Sequence, residues 1–283
     1  MKHRRIIPLL AASLLASQAV EAASATLRHG FKSGATYTVN QVYHNVGSSV
    51  TEMNMMGQKQ VMESPLDHLS QGSWSAKATG KAGKVVLELD YGTQQGGERW
   101  GDPMSRQSEQ MFGNSHASVT IDPLKGMVAI QPTPADDPIV DTIYRSRLGW
   151  LPSFPKKALK AGEGFLHEYT MQSGVITMKS EDDYTLDEVK DGLAYFTVET
   201  KSVAVYDYSK MYQQQNMPQG MGGPMGNMTL LYKGEGSAIF DLKQGIFIER
   251  EMKTAYSTQK PTGGMISMSM RGSVHERWEM EKR

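Results

Sequence analysis

The chain of 283 residues contains no cysteine. Thiol nucleophiles, thiolate metal centres and disulfides are therefore excluded together, and the fold must be held by its core alone. Beyond the first two dozen residues, no window approaches the roughly 18 apolar residues that a membrane-crossing helix needs. Nor does one sign of charge dominate: 30 basic residues face 30 acidic ones. The basic stripe of a nucleic-acid binder is missing. The histidines are scattered, without His-x-His or His-Glu-x-x-His spacing, and no Gly-x-Ser-x-Gly elbow or phosphate-cradling glycine loop occurs. These absences leave no catalytic motif, so the expectation is a protein that is not an enzyme.

What is present begins with a basic cluster, Lys2 to Arg5, and a short apolar stretch, Ile6 to Ala16. Small-x-small sites follow at Val20-Glu21-Ala22 and Ala23-Ser24-Ala25. Eleven apolar residues rise only about 16 Å as a helix, too little to span a bilayer. The stretch has the three parts of a cleavable signal peptide, residues 1–22. Without a cysteine to carry lipid, the expected product is a soluble periplasmic or secreted protein. Its 27 basic and 29 acidic residues leave it near neutrality.

The remainder alternates with period two. From 266 to 280 the even positions read Ile266, Met268, Met270, Gly272, Val274, Glu276, Trp278 and Met280, and the odd positions between them are polar. Alternation over that length predicts a strand with one buried and one wet face. Fifteen extended residues span about 50 Å, and a strand so long must twist, which favours a barrel or half-barrel. Val85, Leu87, Leu89 and Tyr91 share one face of another strand, and Tyr37, Val39 and Tyr43 share a face of a third. Two short helices are expected after Asp102-Pro103 and Asp137-Pro138, where an N-cap residue precedes a first-turn proline.

Three local signatures occur twice in the same order. Lys32-Gly34-Tyr37 is matched by Lys160-Gly162-Phe165, and the hairpin at Gly83 by that at Gly192. The strand and turn from Ser118 through Asp122 to Gly126 return as Ser237 through Asp241 to Gly245. The expected organisation is a first β repeat over 23–133, a helical join over 134–155, and a second β repeat over 156–283 interrupted by a loop at 207–229. The fold class is all-β with minor helix: two related, curled antiparallel sheets with short helices covering a face.

The signal peptide, the Lys-x-Gly-x-x-aromatic openings, the methionine-bearing hairpin Met53–Met62 and Leu151-Pro152-Ser153-Phe154-Pro155 resemble together a family of secreted bacterial proteins. That family is classed as a domain of unknown function, number 6263. The likeness implies a fold and export but brings no activity, ligand or site residue. The long curled strands are also similar, at the level of fold alone, to the half-barrels of periplasmic lipoprotein carriers.

Two constellations would carry function. The first is an apolar groove on a concave sheet face, lined by Tyr37, Val39, Tyr43, Leu87, Leu89, Met268, Met270 and Trp278. It would hold an apolar, lipid-like small molecule or a segment of an envelope protein, since methionine repacks around varied shapes. An ordinary packed core accounts for the same pattern. The second is Met217, Met221, Met225 and Met228, spaced by four, four and three residues among Gln, Gly and Pro. Thioethers are soft neutral donors suited to Cu(I); a low-complexity insertion would look the same. A third possibility is a structural or interaction module of the envelope that pairs through its edge strands. The acidic run Glu181-Asp182-Asp183 reads as a solvated edge.

Overall fold

A computed structural model describes residues 24–55, 58–81, 84–90, 94–96, 116–133, 151–172, 176–207, 227–262 and 266–283. The two expected helices and most of the 134–155 join lie outside them. The described residues form strands β1 (Ser24–Ala25), β2 (Thr36–Met55), β3 (Gln58–Lys81), β4 (Lys84–Asp90), β5 (Gln94–Gly96), β6 (His116–Asp122) and β7 (Gly126–Thr133). The second half supplies β8 (Leu159–Lys160), β9 (Gly164–Gln172), β10 (Ile176–Lys190), β11 (Leu193–Asp207), β12 (Asn227–Asp241), β13 (Ile246–Lys260) and β14 (Ile266–Lys282). The protein is all-β, as the alternation predicts.

The main sheet is antiparallel in the order β7-β6-β4-β3-β2-β14-β13-β12-β11-β10-β9, with β5 added beside β3. Each half is a meander, and the last strand returns to the first. β14 pairs with β2 along its whole length, from Ile266 opposite Met53 to Lys282 opposite Tyr37. The two halves therefore share one continuous sheet.

That sheet curls strongly. Arg250 on β13 reaches Asp182 on β10 at 3.2 Å, although two strands lie between them and a flat sheet would separate the backbones by about 14 Å. Tyr256 on β13 likewise crosses β14 and donates to Asn45 Oδ1 on β2 at 2.9 Å. Its path runs over the ladder partners Gly272 and Gly47. A Cβ on Gly272 would lie 2.6 Å from the tyrosine oxygen, so only glycine lets the ring pass this close to the backbone.

The core fills one end of the curl. The N-terminal segment lies across that end with Ala25, Leu27, His29 and Phe31 buried at alternate positions. His29 N donates to Pro123 O at 2.9 Å, Gly30 N donates to Gly245 O at 2.8 Å, and β1 pairs with β8. One short segment thus ties the β6–β7 turn, the β12–β13 turn and the start of the second half. Phe154 closes the same end: its N–H donates to Leu124 O at 2.6 Å. Its ring meets Phe240 at 5.2 Å and Phe165 at 5.8 Å, both edge-on, a favoured aromatic geometry.

Candidate functional site

Ladder partners point to the same face of a sheet, so the inner wall can be read strand by strand. Near the core it carries Tyr37, Val39, Trp74, Leu87, Leu89, Phe165, Tyr184, Phe196, Phe240 and Trp278, all of them buried. Further along the same strands it carries Tyr43 and Asn45 on β2, Glu276 on β14, Met252 and Tyr256 on β13, Tyr232 on β12 and Tyr206 on β11. β10 and β9 complete it with Asp182 and Tyr169. The wall changes from apolar to polar within a few residues along each strand.

This divides the groove expected from sequence. Tyr37, Val39, Leu87 and Leu89 have at most 1% of their surface exposed and Trp278 has 4%; they are packed core. Tyr43, Met268 and Met270 are half-buried on the wall beyond it. At that far end the β13–β14 ladder stops at Ser257 opposite Arg271, and threonine hydroxyls take over. Met270 N donates to Thr258 Oγ1 at 2.6 Å and Met268 N to Thr262 Oγ1 at 2.7 Å. Of the four methionines proposed for Cu(I), Met217, Met221 and Met225 lie outside the described residues. Met228 belongs to β12 opposite Tyr206. It is 1% exposed, and its sulfur accepts from Thr258 Oγ1 at 3.9 Å, so it is part of the wall.

The acidic run at 181–183 corrects the sequence reading. Glu181 and Asp183 face solvent, but Asp182 points inward with 1% exposure. It accepts from Thr200 Oγ1 at 2.6 Å and from Arg250 Nη2 at 3.2 Å. Burial pulls Arg250 towards losing its proton, but Tyr184, Asp182, Glu276 and Tyr169 around it outweigh that and hold it above its ordinary range. Burial lowers His167, with Arg250 adding to the effect against Asp182, so this inward imidazole is neutral near pH 7. Two buried polar atoms of the group, Tyr184 Oη and Arg250 Nε, have no hydrogen-bond partner among the described residues.

Next to this pair lies a group of tyrosines. Tyr206 and Tyr232 hydroxyls meet at 3.2 Å, and the Tyr232 and Tyr256 rings lie 5.7 Å apart. Tyr43 sits opposite Glu276 in the β2–β14 ladder. Burial first, then Glu276, Tyr206 and Tyr256, raise its phenol well above the usual tyrosine range, which keeps it a neutral donor. Glu276 Oε1 accepts from Gln41 Nε2 at 2.6 Å.

The outer face is ordinary by comparison. His44 bonds Asp67 at 3.0 Å, His275 bonds Glu251 at 2.8 Å and Arg277 bridges Glu249 and Glu279, all on the polar sides assigned by alternation. Among the described residues no three His, Asp or Glu side chains gather as a metal site, and none of the described helices or strands includes a helix long and apolar enough to cross a membrane. No protein-family model matches the chain, and no curated protein matches it.

Proposed function

We propose that this is an exported, non-enzymatic binding protein of the periplasm whose ligand lies on the inner wall beyond the packed core. The ligand is an amphiphile: an apolar body against Met268, Met270 and the aromatic end, and a polar group among the tyrosines. One observation carries the reading. The inner wall continues well past the closed core, and there it bears half-buried tyrosines and methionines instead of the charged residues that cover the outer face. Ligand sites pair an apolar lining with a few convergent polar groups, and tyrosine supplies ring and hydroxyl at low entropic cost.

Neither the copper reading nor that of an envelope interaction module gains a comparable observation. Met228 is engaged in the wall, which leaves copper only the three methionines outside the described residues. Native mass spectrometry of the protein, purified gently from its own envelope, tests the proposal. The expected spectrum shows the mature mass plus a small apolar molecule released on mild activation. A spectrum of the bare chain, or of the chain with a copper ion or a stoichiometric protein partner instead, would sink it.

A further inference from the structure

Apart from Lys282 at the exposed end of β14, opposite Tyr37, the inner wall carries three charged side chains among the described residues: Asp182, Arg250 and Glu276. Asp182 and Arg250 lie 3.2 Å apart, and Glu276 also helps to hold Arg250 charged, so two carboxylates share one guanidinium and the group keeps one net negative charge. Glu276 is half-buried, its Oε1 accepts from the neutral amide of Gln41, and among the described residues no lysine, arginine or histidine lies within ion-pairing distance of it. A partly desolvated carboxylate without an ion-pair contact of its own favours the approach of a cation.

Its surroundings suit one kind of cation. Tyr43 is its ladder partner; two residues on along the same face, Asn45 accepts from Tyr256 across the curl, and Tyr256 leads on to Tyr232, ring to ring at 5.7 Å, and Tyr232 to Tyr206, hydroxyl to hydroxyl at 3.2 Å. Several of these hydroxyls already have partners: Tyr206 and Tyr232 bond each other, and Tyr256 donates to Asn45. Tyr256 is itself buried and backs the group, while the half-buried rings of Tyr43, Tyr206 and Tyr232 offer a ligand their electron-rich faces. Aromatic faces around a carboxylate bind alkylammonium groups, which need no strong acceptor. An anionic head would meet Glu276 and Asp182 as like charges, and the wall's one guanidinium is shared by those two carboxylates.

We infer that the site takes a cationic amphiphile, its ammonium head held by Glu276 and the ring faces of Tyr43, Tyr206 and Tyr232. This rests on the amphiphile-binding reading above and adds the charge of the head. Cation–aromatic attraction with partial desolvation corresponds to about tenfold in affinity.

The test titrates the mature protein with decyltrimethylammonium and with decyl sulfate, each below its micelle-forming concentration, by calorimetry. The expected result is binding of decyltrimethylammonium about tenfold tighter than of decyl sulfate. Glu276→Gln, which still accepts the Gln41 bond, should abolish that preference. Tyr232→Phe should preserve it and Tyr232→Leu weaken it. Equal or tighter binding of decyl sulfate, or a preference untouched by Glu276→Gln in a folded protein, overturns the ammonium assignment and leaves amphiphile binding standing. Binding of neither probe overturns both.

Discussion

The two halves of the sheet use the same backbone devices and fill them differently. Gly34 N donates to Ala78 O, and Ala78 N to Ala35 O; in the second half Gly162 N donates to Leu186 O, and Leu186 N to Glu163 O, at matching distances of 2.8 and 2.9 Å. Asp122 Oδ1 accepts from the N–H groups of Leu124 and Lys125, as Asp241 Oδ1 does from those of Lys243 and Gln244. Each of these turns ends on a glycine with positive φ, 69° at Gly126 and 70° at Gly245. Each also follows a register shift, at Thr120/Ile121 and at Ile239/Phe240. These are the positions of the paired sequence signatures, Ser118 to Gly126 and Ser237 to Gly245 among them.

Within that shared frame, counting four residues back from Ala78 and from Leu186 sets Trp74 against Asp182. Counting from the shared openings sets Val39 against His167 and Gln41 against Tyr169. At the first two of these positions the first half carries packed core, Trp74 and Val39, where the second carries Asp182 and His167; at the third, Gln41 and Tyr169 are both half-buried wall. Like backbone turns do not dictate a like interior; a few inward positions decide where the wall is apolar and where it is polar.

The buried pair offers the sharpest test of that contrast. Arg250→Met alone leaves Asp182 without its counter-ion and should cost about 3–5 kcal/mol of stability, measured by urea unfolding. Asp182→Leu combined with Arg250→Met, which gives the second half an apolar interior like the first, should recover most of that loss. A double variant as unstable as the single one would show that the pair is more than an isolated charge couple.

The joint between the halves responds to acid. His29 has 6% exposure and stacks on Phe154 at 4.4 Å. Its Nε2–H donates to Pro152 O at 2.8 Å, so the proton-free Nδ1, which has no partner among the described residues, would have to take up the second proton. Burial outweighs the favourable Pro152 bond and lowers its pKa from 6.5 to about 4. The folded state thus binds this proton less readily than the unfolded chain. The stability it protects is whole above pH 6.5 and falls away as pH drops towards 4, by roughly 3 kcal/mol. Unfolding curves at pH 7.5 and 4.5 should differ by about that much more in the wild type than in His29→Gln; equal differences would remove His29 as the cause.

The smallest expected effect tests the repeat itself. Asp122→Ala and Asp241→Ala each remove an acceptor of two backbone N–H groups, and each should cost about 1–2 kcal/mol. Asp241 also accepts from Gln244 Nε2 at 2.7 Å, so its loss should be slightly the larger. A marked imbalance beyond that would mean the turns are alike in shape but not in what they support.

Much of this was legible in the residues. The alternation in 266–280 places Met268, Met270, Glu276 and Trp278 on one face and His275, Arg277 and Glu279 on the other. The same rule applied to 176–186 would have found Asp182, which shares parity with Tyr184 and Leu186; attention to three adjacent acids hid it. What alternation does not supply is depth along a strand. Tyr37 and Tyr43 share a face of β2, yet one is sealed by the N-terminal segment and Phe154 while the other lines the open wall.

The sequence by itself determined that the chain is built of long strands with one wet and one sheltered face, because side-chain alternation is a local property of extended backbone. Only the tertiary structure decided that Arg250 meets Asp182, that Tyr206, Tyr232 and Tyr256 meet one another, and that five of the expected groove residues are core. Those contacts join strands that are distant in the chain, and they exist only because the sheet curls, over the bare inner face left by Gly47 and Gly272, until its strands face one another.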